Sequence, residues 1–205
     1  MISAEQALTA LQEGNKRFVA GVTAEDSPHI SDIIKFQDRQ NPFAIILGCS
    51  DSRVPAEIIF DQGMGDLFVI RVAGNIVAPS QLGSIEFAVE QFGTPLVVVL
   101  GHSSCGAVSA TLEDIKNPAR EKNTSSVFSI VDRIRPTVMA LIENEGVDGD
   151  QLMEASIRAN IRSSAKQLRE ESPLLKNYLK QNKLVIVGAE YSLSTGEVDF
   201  FDFSA

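Results

Sequence analysis

The sequence predicts an α/β protein with a mainly parallel central sheet: about four parallel strands, an antiparallel strand at the carboxyl end, and flanking helices. Two observations predict this class. Segments with helical periodicity alternate with short apolar runs, and such runs are typical of strands that are buried on both faces. The four runs are residues 43–48, 67–72, 96–101 and 183–191. The length of 205 residues, of which 44% are hydrophobic and 22% charged, suits one domain.

The first predicted element is a helix over residues 3–20, with Ser3 as N-cap and Gln6 at the capping-box position. A polar, irregular stretch follows it and ends before the first apolar run. We therefore divide the single domain, residues 1–205, into an N-terminal helical arm over 1–42 and an α/β core over 43–205.

The connections between the apolar runs carry helical patterns. Residues 80–93 place apolar side chains, Phe87 among them, along a helical face and end in Gly93, a typical helix stop. Residues 123–171 are helical in pattern, with predicted interruptions at Pro136 and around 146–149. These helices are expected to cover the sheet.

Two further signals lie near the carboxyl end. Residues 172–182 begin with Ser172 as a predicted N-cap and Pro173 in the first helical position. Residues 190–203 contain two extended segments around a turn at 194–196, which predicts a hairpin and hence an antiparallel last strand.

Composition excludes several classes of function. The net charge of −9 would repel a phosphate backbone, so nucleic acid is not an expected partner. No run approaches the roughly 20 apolar residues of a membrane span. The amino terminus lacks the basic start and apolar run of a secretory signal, which predicts a cytoplasmic protein, although a chain whose signal had been removed would look the same.

The scarce residues of the chain are concentrated at two places. The sequence has two Cys, two His and no Trp. GCSDSR directly follows the first apolar run and contains Cys49, while GHSSCG follows the third and contains His102 and Cys105. Ligands bind outside the carboxyl ends of parallel strands, so this edge of the sheet is the predicted functional site.

Spacing within each motif predicts that these side chains converge. Cys49, Asp51 and Arg53 would point to one side if the backbone stays extended. His102 and Cys105, three residues apart, would share one face of the following helix, whose positive end favours a thiolate. The cysteines could instead be ordinary buried thiols or a disulfide.

Two thiolates and one imidazole suit Zn²⁺, and water or the Asp51 carboxylate would complete the four ligands. The two thiolates cancel the charge of the ion, so a bound water should ionise at a higher pH than at a three-histidine zinc site. Asp51 should compete with that water unless Arg53 holds the carboxylate away.

These residues resemble a known family. CSDSRVPAE at 49–57 and GHSSCGAV at 101–108, with GDLFVIRVAGN at 65–75 between them, resemble the zinc-binding motifs of the β-class carbonic anhydrases. The resemblance covers most of the chain. It implies an α/β fold, an N-terminal helix that is exchanged with a partner subunit, and a homodimer or a dimer of dimers (homotetramer).

The resemblance also implies the chemistry. One Zn²⁺ per subunit would be held by Cys49, His102 and Cys105, with Asp51 as fourth ligand in a closed form and Asp51 with Arg53 as a catalytic dyad. The implied reaction is the reversible hydration of carbon dioxide to bicarbonate and a proton by zinc-bound hydroxide. The implied partners are therefore CO2 and bicarbonate.

Substrate-binding residues are implied in the same way. Gln40 matches a family glutamine that reaches the substrate across the dimer interface. The implied apolar walls around CO2 are Val54, Phe68, Gly106 and Ala107.

One departure concerns a second, noncatalytic bicarbonate site that some members build from Trp, Arg and Tyr. Arg71 and Tyr191 match, but Ile46 occupies the Trp position, so this sequence does not predict that site. Two alternatives to the main hypothesis stay open. The same zinc site could act on carbonyl sulfide or carbon disulfide, or the chain could be a noncatalytic, bicarbonate-sensing zinc protein.

Overall fold

A computed structural model of the chain describes residues 2–22, 37, 40–117, 126–145 and 149–203. The elements alternate along the chain as the sequence predicts, with a short 3₁₀ turn at Ala73–Asn75. The helices and strands are α1 (Ala4–Val19), β1 (Ala44–Gly48), α2 (Ala56–Ile59), β2 (Leu67–Arg71), α3 (Pro79–Phe92), β3 (Leu96–His102), α4 (Gly106–Lys116), α5 (Phe128–Glu145), α6 (Gly149–Glu171), α7 (Pro173–Lys180), β4 (Val185–Tyr191) and β5 (Val198–Phe201).

The described strands form one sheet in the order β2-β1-β3-β4-β5. The first four strands are parallel and β5 pairs with β4 in the antiparallel sense, so the predicted fold class is confirmed. β1 lies between β2 and β3. The chain runs from β1 to β2 on one side and then crosses back to β3 on the other side. The carboxyl ends of β1 and β3 therefore form a topological switch point, where Gly48 pairs with Leu100.

Alternate residues of the central strands supply two cores, because successive side chains of a strand point to opposite faces. Ile45 and Val97 belong to the core beneath α3 to α7. Ile46 and Val98 belong to the core beneath α1 and α2. Every residue of β1 and β3 is buried, which explains why both runs are apolar without alternation.

The local signals at the helix ends are confirmed. Gln6 and Ser3 form the predicted capping box at the start of α1. Gly93 ends α3 in the left-handed conformation at φ 64°. The Ser172 hydroxyl accepts a hydrogen bond from the backbone N–H of Leu175 at 3.0 Å and caps α7. None of the described helices combines the length and the apolar character that a membrane crossing requires.

The predicted interruption at Pro136 is wrong. Pro136 lies inside α5, which continues through it. Ile134 and Val138, on either side, are fully buried in the core, and this packing outweighs the loss of one helical hydrogen bond. The other predicted break, around 146–149, falls largely on residues 146–148, which lie outside the described part of the chain; α5 ends at Glu145 and α6 begins at Gly149.

The placement of Phe87 also differs from the prediction. Its side chain is 51% exposed, whereas the helical pattern placed it on the apolar face. It packs instead against two other rings, with centroid distances of 6.4 Å to Phe68 and 5.7 Å to Phe92. We call these three residues the aromatic patch.

Helix α1 packs against its own chain. Ala7 and Leu11 are fully buried in the core beneath α2. The Asn15 side chain donates hydrogen bonds to the carbonyl oxygens of Ile59 and Gly196, at 3.2 and 2.9 Å. Most of the remaining predicted arm, residues 23–36, lies outside the described residues, and exchange of the arm between subunits stays a prediction.

Candidate metal centre

Three potential metal ligands meet at the switch point of the sheet. Cys49 follows β1, His102 is the last residue of β3, and Cys105 directly precedes α4. Their ligand atoms all lie within 4.8 Å of one another, and all three residues are buried. The structure therefore brings together the cluster that the sequence predicts. Both cysteines are free, so they do not form the alternative disulfide.

His102 and Cys105 converge through a turn, and the predicted common helical face is wrong. Cys105 is the N-cap of α4, so it lies just outside the helix. Ser104 between them adopts a positive φ of 56°, and the Ser103 N–H donates to the Tyr191 carbonyl at 2.9 Å. This tight turn after β3 points the thiol of Cys105 back toward the imidazole.

The imidazole of His102 is oriented for a ligand. Its Nδ1 lies 2.9 Å from the Ser103 carbonyl oxygen, which only accepts, so Nδ1 carries the proton and Nε2 a free lone pair. Nε2 is buried and has no hydrogen-bond partner among the described residues. A metal ion in the cluster would satisfy this atom, and a backbone partner on the other nitrogen is typical of metal-ligating histidines.

Asp51 and Arg53 form a turn, whereas the prediction of their common direction assumed an extended backbone. The Val54 N–H donates to the Asp51 carbonyl, and the Arg53 N–H donates to the Asp51 carboxylate, both at 3.0 Å. The Arg53 guanidinium also reaches both carboxylate oxygens, at 2.9 and 2.8 Å. The predicted pair is thus formed by a different local geometry.

These contacts fix the charge and the direction of the Asp51 carboxylate. The bidentate hydrogen bond from Arg53 holds the pKa of Asp51 well below its usual range, so the carboxylate is ionised at neutral pH. Its Oδ2 lies 3.9 Å from the free Nε2 of His102. Asp51 therefore faces the cluster at the position where a fourth ligand would lie.

The two thiols are unequal when no cation lies between them. A hydrogen bond from the Cys105 thiol lowers the pKa of Cys49, against the opposing effect of burial. The same hydrogen bond and burial raise the pKa of Cys105. Burial lowers the pKa of His102, but the neighbouring Cys49 thiolate outweighs it and raises that pKa overall. A cation bound to both sulfurs would release the proton that they share.

The donor set fits zinc. Two sulfurs and one imidazole nitrogen, buried and within one coordination sphere, are the ligands that Zn²⁺ takes, and a catalytic site keeps a fourth position for water. The Asp51 carboxylate stands beside that position.

Sequence reasoning gave no site role to two residues that support Cys49. The Arg71 guanidinium donates to the carbonyl oxygens of Cys49 and Asp51, at 3.0 and 2.5 Å, because Arg71 pairs with Gly48 at the end of β2. The Asn160 side chain, from α6, donates to the Gly74 carbonyl at 2.8 Å, and the Gly74 N–H in turn donates to the Cys49 sulfur. A basic residue at the end of a neighbouring strand was a usable signal for Arg71, but no local pattern marks Asn160.

The residues implied as substrate contacts fall into two groups. Val54 is buried one position after Arg53, and Gly106 and Ala107 directly follow Cys105. Phe68 pairs with Ile45, four positions before Cys49, which is about 13 Å along the strand.

Gln40 is exposed and precedes β1, so it lies toward the other end of the strand that carries Cys49. The described chain therefore keeps Phe68 and Gln40 away from its own cluster.

Several known proteins are similar to this chain in sequence and in fold. The family model described as carbonic anhydrase matches residues 44–198. A carbonic anhydrase of Mycolicibacterium smegmatis is 40% identical over 190 residues, which cover 93% of this chain and 89% of that protein. Carbonic anhydrase 2 of Mycobacterium tuberculosis is 40% identical over 187 residues, which cover 91% and 87%.

Among solved structures, the β-carbonic anhydrase CcaA matches with a TM-score of 0.75 at 27% identity, covering 97% of this chain and 87% of that one. The family match spans β1 to β4 and both cysteine motifs. The chain therefore belongs to the β-class carbonic anhydrases, enzymes that reversibly hydrate carbon dioxide to bicarbonate.

Proposed function

We propose that the chain performs this reaction at a zinc ion held by Cys49, His102 and Cys105, one ion per subunit. The observation that carries the proposal is the buried Nε2 of His102, which has no hydrogen-bond partner in the described part of the chain and lies in a cluster with Cys49 and Cys105. A bound Zn²⁺ would supply the Lewis acidity that allows water to ionise at mild pH.

Metal content and activity test this assignment together. Purified chain should contain one zinc per subunit by elemental analysis, and stopped-flow measurements at pH 8.5 should show CO2 hydration above the buffer rate. Cys105→Ser should lose both the metal and the activity, since it removes one of three ligands. Zinc-loaded protein without activity at pH 8.5 would overturn the proposal.

Asp51 and Arg53 supply the polar chemistry next to the metal position. When Arg53 holds both carboxylate oxygens, Asp51 can accept a hydrogen bond from a substrate-derived hydroxyl and orient it. When that contact is released, the same carboxylate can occupy the fourth position, which gives the closed form. The contact with Arg53 therefore determines whether Asp51 binds substrate or occupies the fourth ligand position.

The apolar residues beside the cluster suit an uncharged substrate. Val54 and Ala107 would form walls against CO2, and Gly106 leaves room between them. The product is an anion, and the net charge of −9 favours its departure from the protein.

A second copy of the chain would complete the site. Phe68 and Gln40 cannot reach the cluster of their own chain, while the aromatic patch leaves Phe87 half exposed beside the edge strand β2. We propose a homodimer, or a dimer of dimers, in which each subunit presents these two residues to its partner's CO2 and exchanges its N-terminal arm.

Hybrid dimers test this arrangement. Cys105→Ser and a Phe68→Ala/Gln40→Ala double variant should each have low activity when alone. After joint refolding, the hybrid regains one complete site, because the metal-deficient subunit still presents Phe68 and Gln40 to the other. No regain of activity in confirmed hybrids would show that both residues act within one chain.

We propose one domain over residues 1–205, comprising the arm 1–42 and the core 43–205, and a cytoplasmic location. Free, buried cysteines fit a reducing compartment and support the location.

A further inference from the structure

A basic groove lies between α6 and α7, at a distance from the candidate metal centre. It has a volume of about 600 Å³ and is lined by five basic side chains and two acidic ones. The net charge of the whole chain is −9, so this concentration of positive charge runs against the composition of the protein. The basic residues are Arg162, Lys166, Arg169, Lys176 and Lys180.

Helical spacing arranges these cations in two facing rows. Arg162, Lys166 and Arg169 follow one another at intervals of four and three residues on α6, so they share one face and span about 10 Å. Lys176 and Lys180 are one turn apart on α7. A ligand in the groove would meet positive charge on both sides.

Only part of this charge is neutralised within the chain. The Arg169 guanidinium is fixed by Asp202, at 3.1 Å, and by the Ile186 carbonyl, at 2.7 Å. Lys166 lies 3.9 Å from Glu170.

Among the described residues, no ion pair within 4.0 Å involves Arg162, Lys176 or Lys180. Three cations therefore remain without a carboxylate partner, and their mutual repulsion would be relieved by an anion.

We propose that the basic groove binds a small anion with two or more phosphate groups. Phosphates suit this lining because lysine ammonium groups act as point charges and arginine donates in pairs. Leu179 is the one apolar residue of the described lining, and no aromatic ring is present there to stack on a base. The groove therefore selects the phosphate groups of its ligand, not an attached ring.

The Arg169 end of the groove lies away from the metal centre. Arg169 contacts the Ile186 carbonyl near the start of β4, whereas His102 pairs with Tyr191 at the end of β4. Five residue steps, about 16 Å, separate Ile186 from Tyr191. Variants of the groove lysines should thus leave the basal activity unchanged.

Inorganic pyrophosphate, titrated into the zinc-loaded enzyme by calorimetry, tests the proposal. Lys176→Glu/Lys180→Glu should weaken its binding by about tenfold or more, since two attractions become repulsions. The matched control is Lys16→Glu/Lys116→Glu, which makes the same change of charge on α1 and α4. Equal binding by all three proteins would overturn the proposal and would indicate that pyrophosphate binds elsewhere, for example at the metal.

A milder variant protects the test against misfolding. Lys176→Gln/Lys180→Gln removes the charges without adding repulsion. Pyrophosphate should raise the thermal midpoint of the wild type and of the control, but raise that of this variant less, because a ligand stabilises only the state that binds it. The same rise in all proteins would also overturn the proposal.

An independent observation concerns the support of Cys49. The backbone N–H of Gly74 donates to the Cys49 sulfur at 3.3 Å, and the Gly74 carbonyl accepts from the buried Asn160 side chain at 2.8 Å. Gly74 adopts a positive φ of 70°, and a Cβ there would lie 2.9 Å from atoms of Ala107 and Ile134. The backbone of Gly74 is therefore held on both sides, at its N–H by the Cys49 sulfur and at its carbonyl by Asn160.

We infer that Asn160 is a positioning residue for the metal centre, which rests on the proposed role of Cys49 as a ligand. Its amide fixes the Gly74 carbonyl and so restrains the Gly74 backbone, and the N–H of Gly74 orients the Cys49 thiolate and reduces the electron donation of its sulfur to a metal. Contacts of this kind, one layer outside the ligands, change metal affinity by about 10- to 100-fold.

Asn160→Ala tests the inference, with Ser164→Ala as a control that removes another buried polar group one turn along α6. Zinc release to a chelator should be about 10- to 100-fold faster in Asn160→Ala, and the visible spectrum of its Co²⁺ form should shift. Ser164→Ala should match the wild type in both measurements. A folded Asn160→Ala with unchanged release and spectrum would overturn the inference, whereas a wild type that binds no metal would overturn the proposed function instead.

Discussion

The Asp51 carboxylate is held in one orientation by the residue two positions after it. Arg53 donates from its backbone N–H, from Nε and from Nη2, so both carboxylate oxygens are engaged. The nearest ring nitrogen of His102 is 3.9 Å from Oδ2. A small rotation of the Asp51 side chain would therefore move its carboxylate from Arg53 into the ligand cluster.

Asp51→Asn should lower kcat/KM for CO2 hydration by about 10²-fold, because the amide cannot accept as the carboxylate does and pairs weakly with Arg53. Stopped-flow rates from pH 7 to 9 measure the effect. The wild-type rate should rise over this range, since the two thiolates cancel the charge of the zinc and a high pH is needed to ionise water. Asp132→Asn, an exposed site, is the control. Full activity of Asp51→Asn at every pH would contradict the assignment.

At this scale the sequence predicts the ligands but not their supports. With two cysteines and two histidines in the chain, the choice of candidate ligands for a soft metal was narrow. Asn160 is different, because its role depends on where α6 lies relative to the Ala73–Asn75 turn, 86 residues earlier in the chain. Only the tertiary arrangement shows that contact.

Close contacts between α6 and the sheet depend on glycine. At Gly101 in β3 an added Cβ would lie 2.5 Å from the Ile161 side chain, and at Gly188 in β4 it would lie 2.9 Å from the same residue. The helix can therefore lie directly on the two strands that carry His102 and Tyr191. Because Gly101 and Gly188 have no side chains, α6 can approach the sheet this closely.

Gly101→Ala should lower the free energy of unfolding by about 1 to 3 kcal/mol, because the new methyl group overpacks this contact. Gly83→Ala is the matched control, since nothing lies within 4 Å of its added Cβ in α3. That change should raise the stability by about 0.5 to 1 kcal/mol. Denaturant unfolding of both variants measures the difference, and an equally stable Gly101→Ala would contradict the packing argument.

The β4–β5 pair carries a half-buried carboxylate, Glu190, with a predictable effect of pH. Burial raises the pKa of Glu190, although Arg158 opposes the shift and Asp199 and Glu154 assist it. A raised pKa means that the folded state holds its proton to a higher pH than the unfolded state does. The stability that Glu190 contributes is therefore lost as the pH rises through its folded pKa.

Glu190→Gln should remove that loss. Urea unfolding at pH 4 and pH 7 should show the variant gaining stability relative to the wild type as the pH increases. Asp132→Asn again serves as the exposed control. If the stabilities of the wild type and of Glu190→Gln changed equally between pH 4 and pH 7, Arg158 would compensate fully for the burial of the carboxylate, contrary to this prediction.

Helix ends are predictable from the sequence where neighbouring residues determine them. They are not predictable where packing in the core determines them. Ser3, Gly93 and Ser172 act through their own backbone neighbours, so their effects are visible in the sequence. Pro136 does not break α5, because the residues around it are buried in the core. Phe87 leaves the apolar face of α3 and packs against Phe68 of β2 and Phe92 of its own helix.

For the whole molecule, the aromatic patch offers a test of the proposed dimer. Phe87→Asp should shift the protein toward monomers in light-scattering measurements after size-exclusion chromatography, because a charge would be buried at the proposed interface. Activity should fall in parallel, since Gln40 and Phe68 would no longer reach a second site. Phe203→Asp, which changes a similarly exposed ring outside the patch, is the control. A fully dimeric Phe87→Asp would place the interface elsewhere.

The pairing of β1 with β3 has a consequence for how the enzyme matures. Gly48 is opposite Leu100, so the two ligand-bearing segments emerge at the same level of the sheet only in this register. A slip of one residue would turn alternate side chains to the wrong face and separate the thiol of Cys49 from His102. A metal ion would then find too few ligands. Zinc bound at the proposed site would therefore stabilise only chains whose strands have paired in this register.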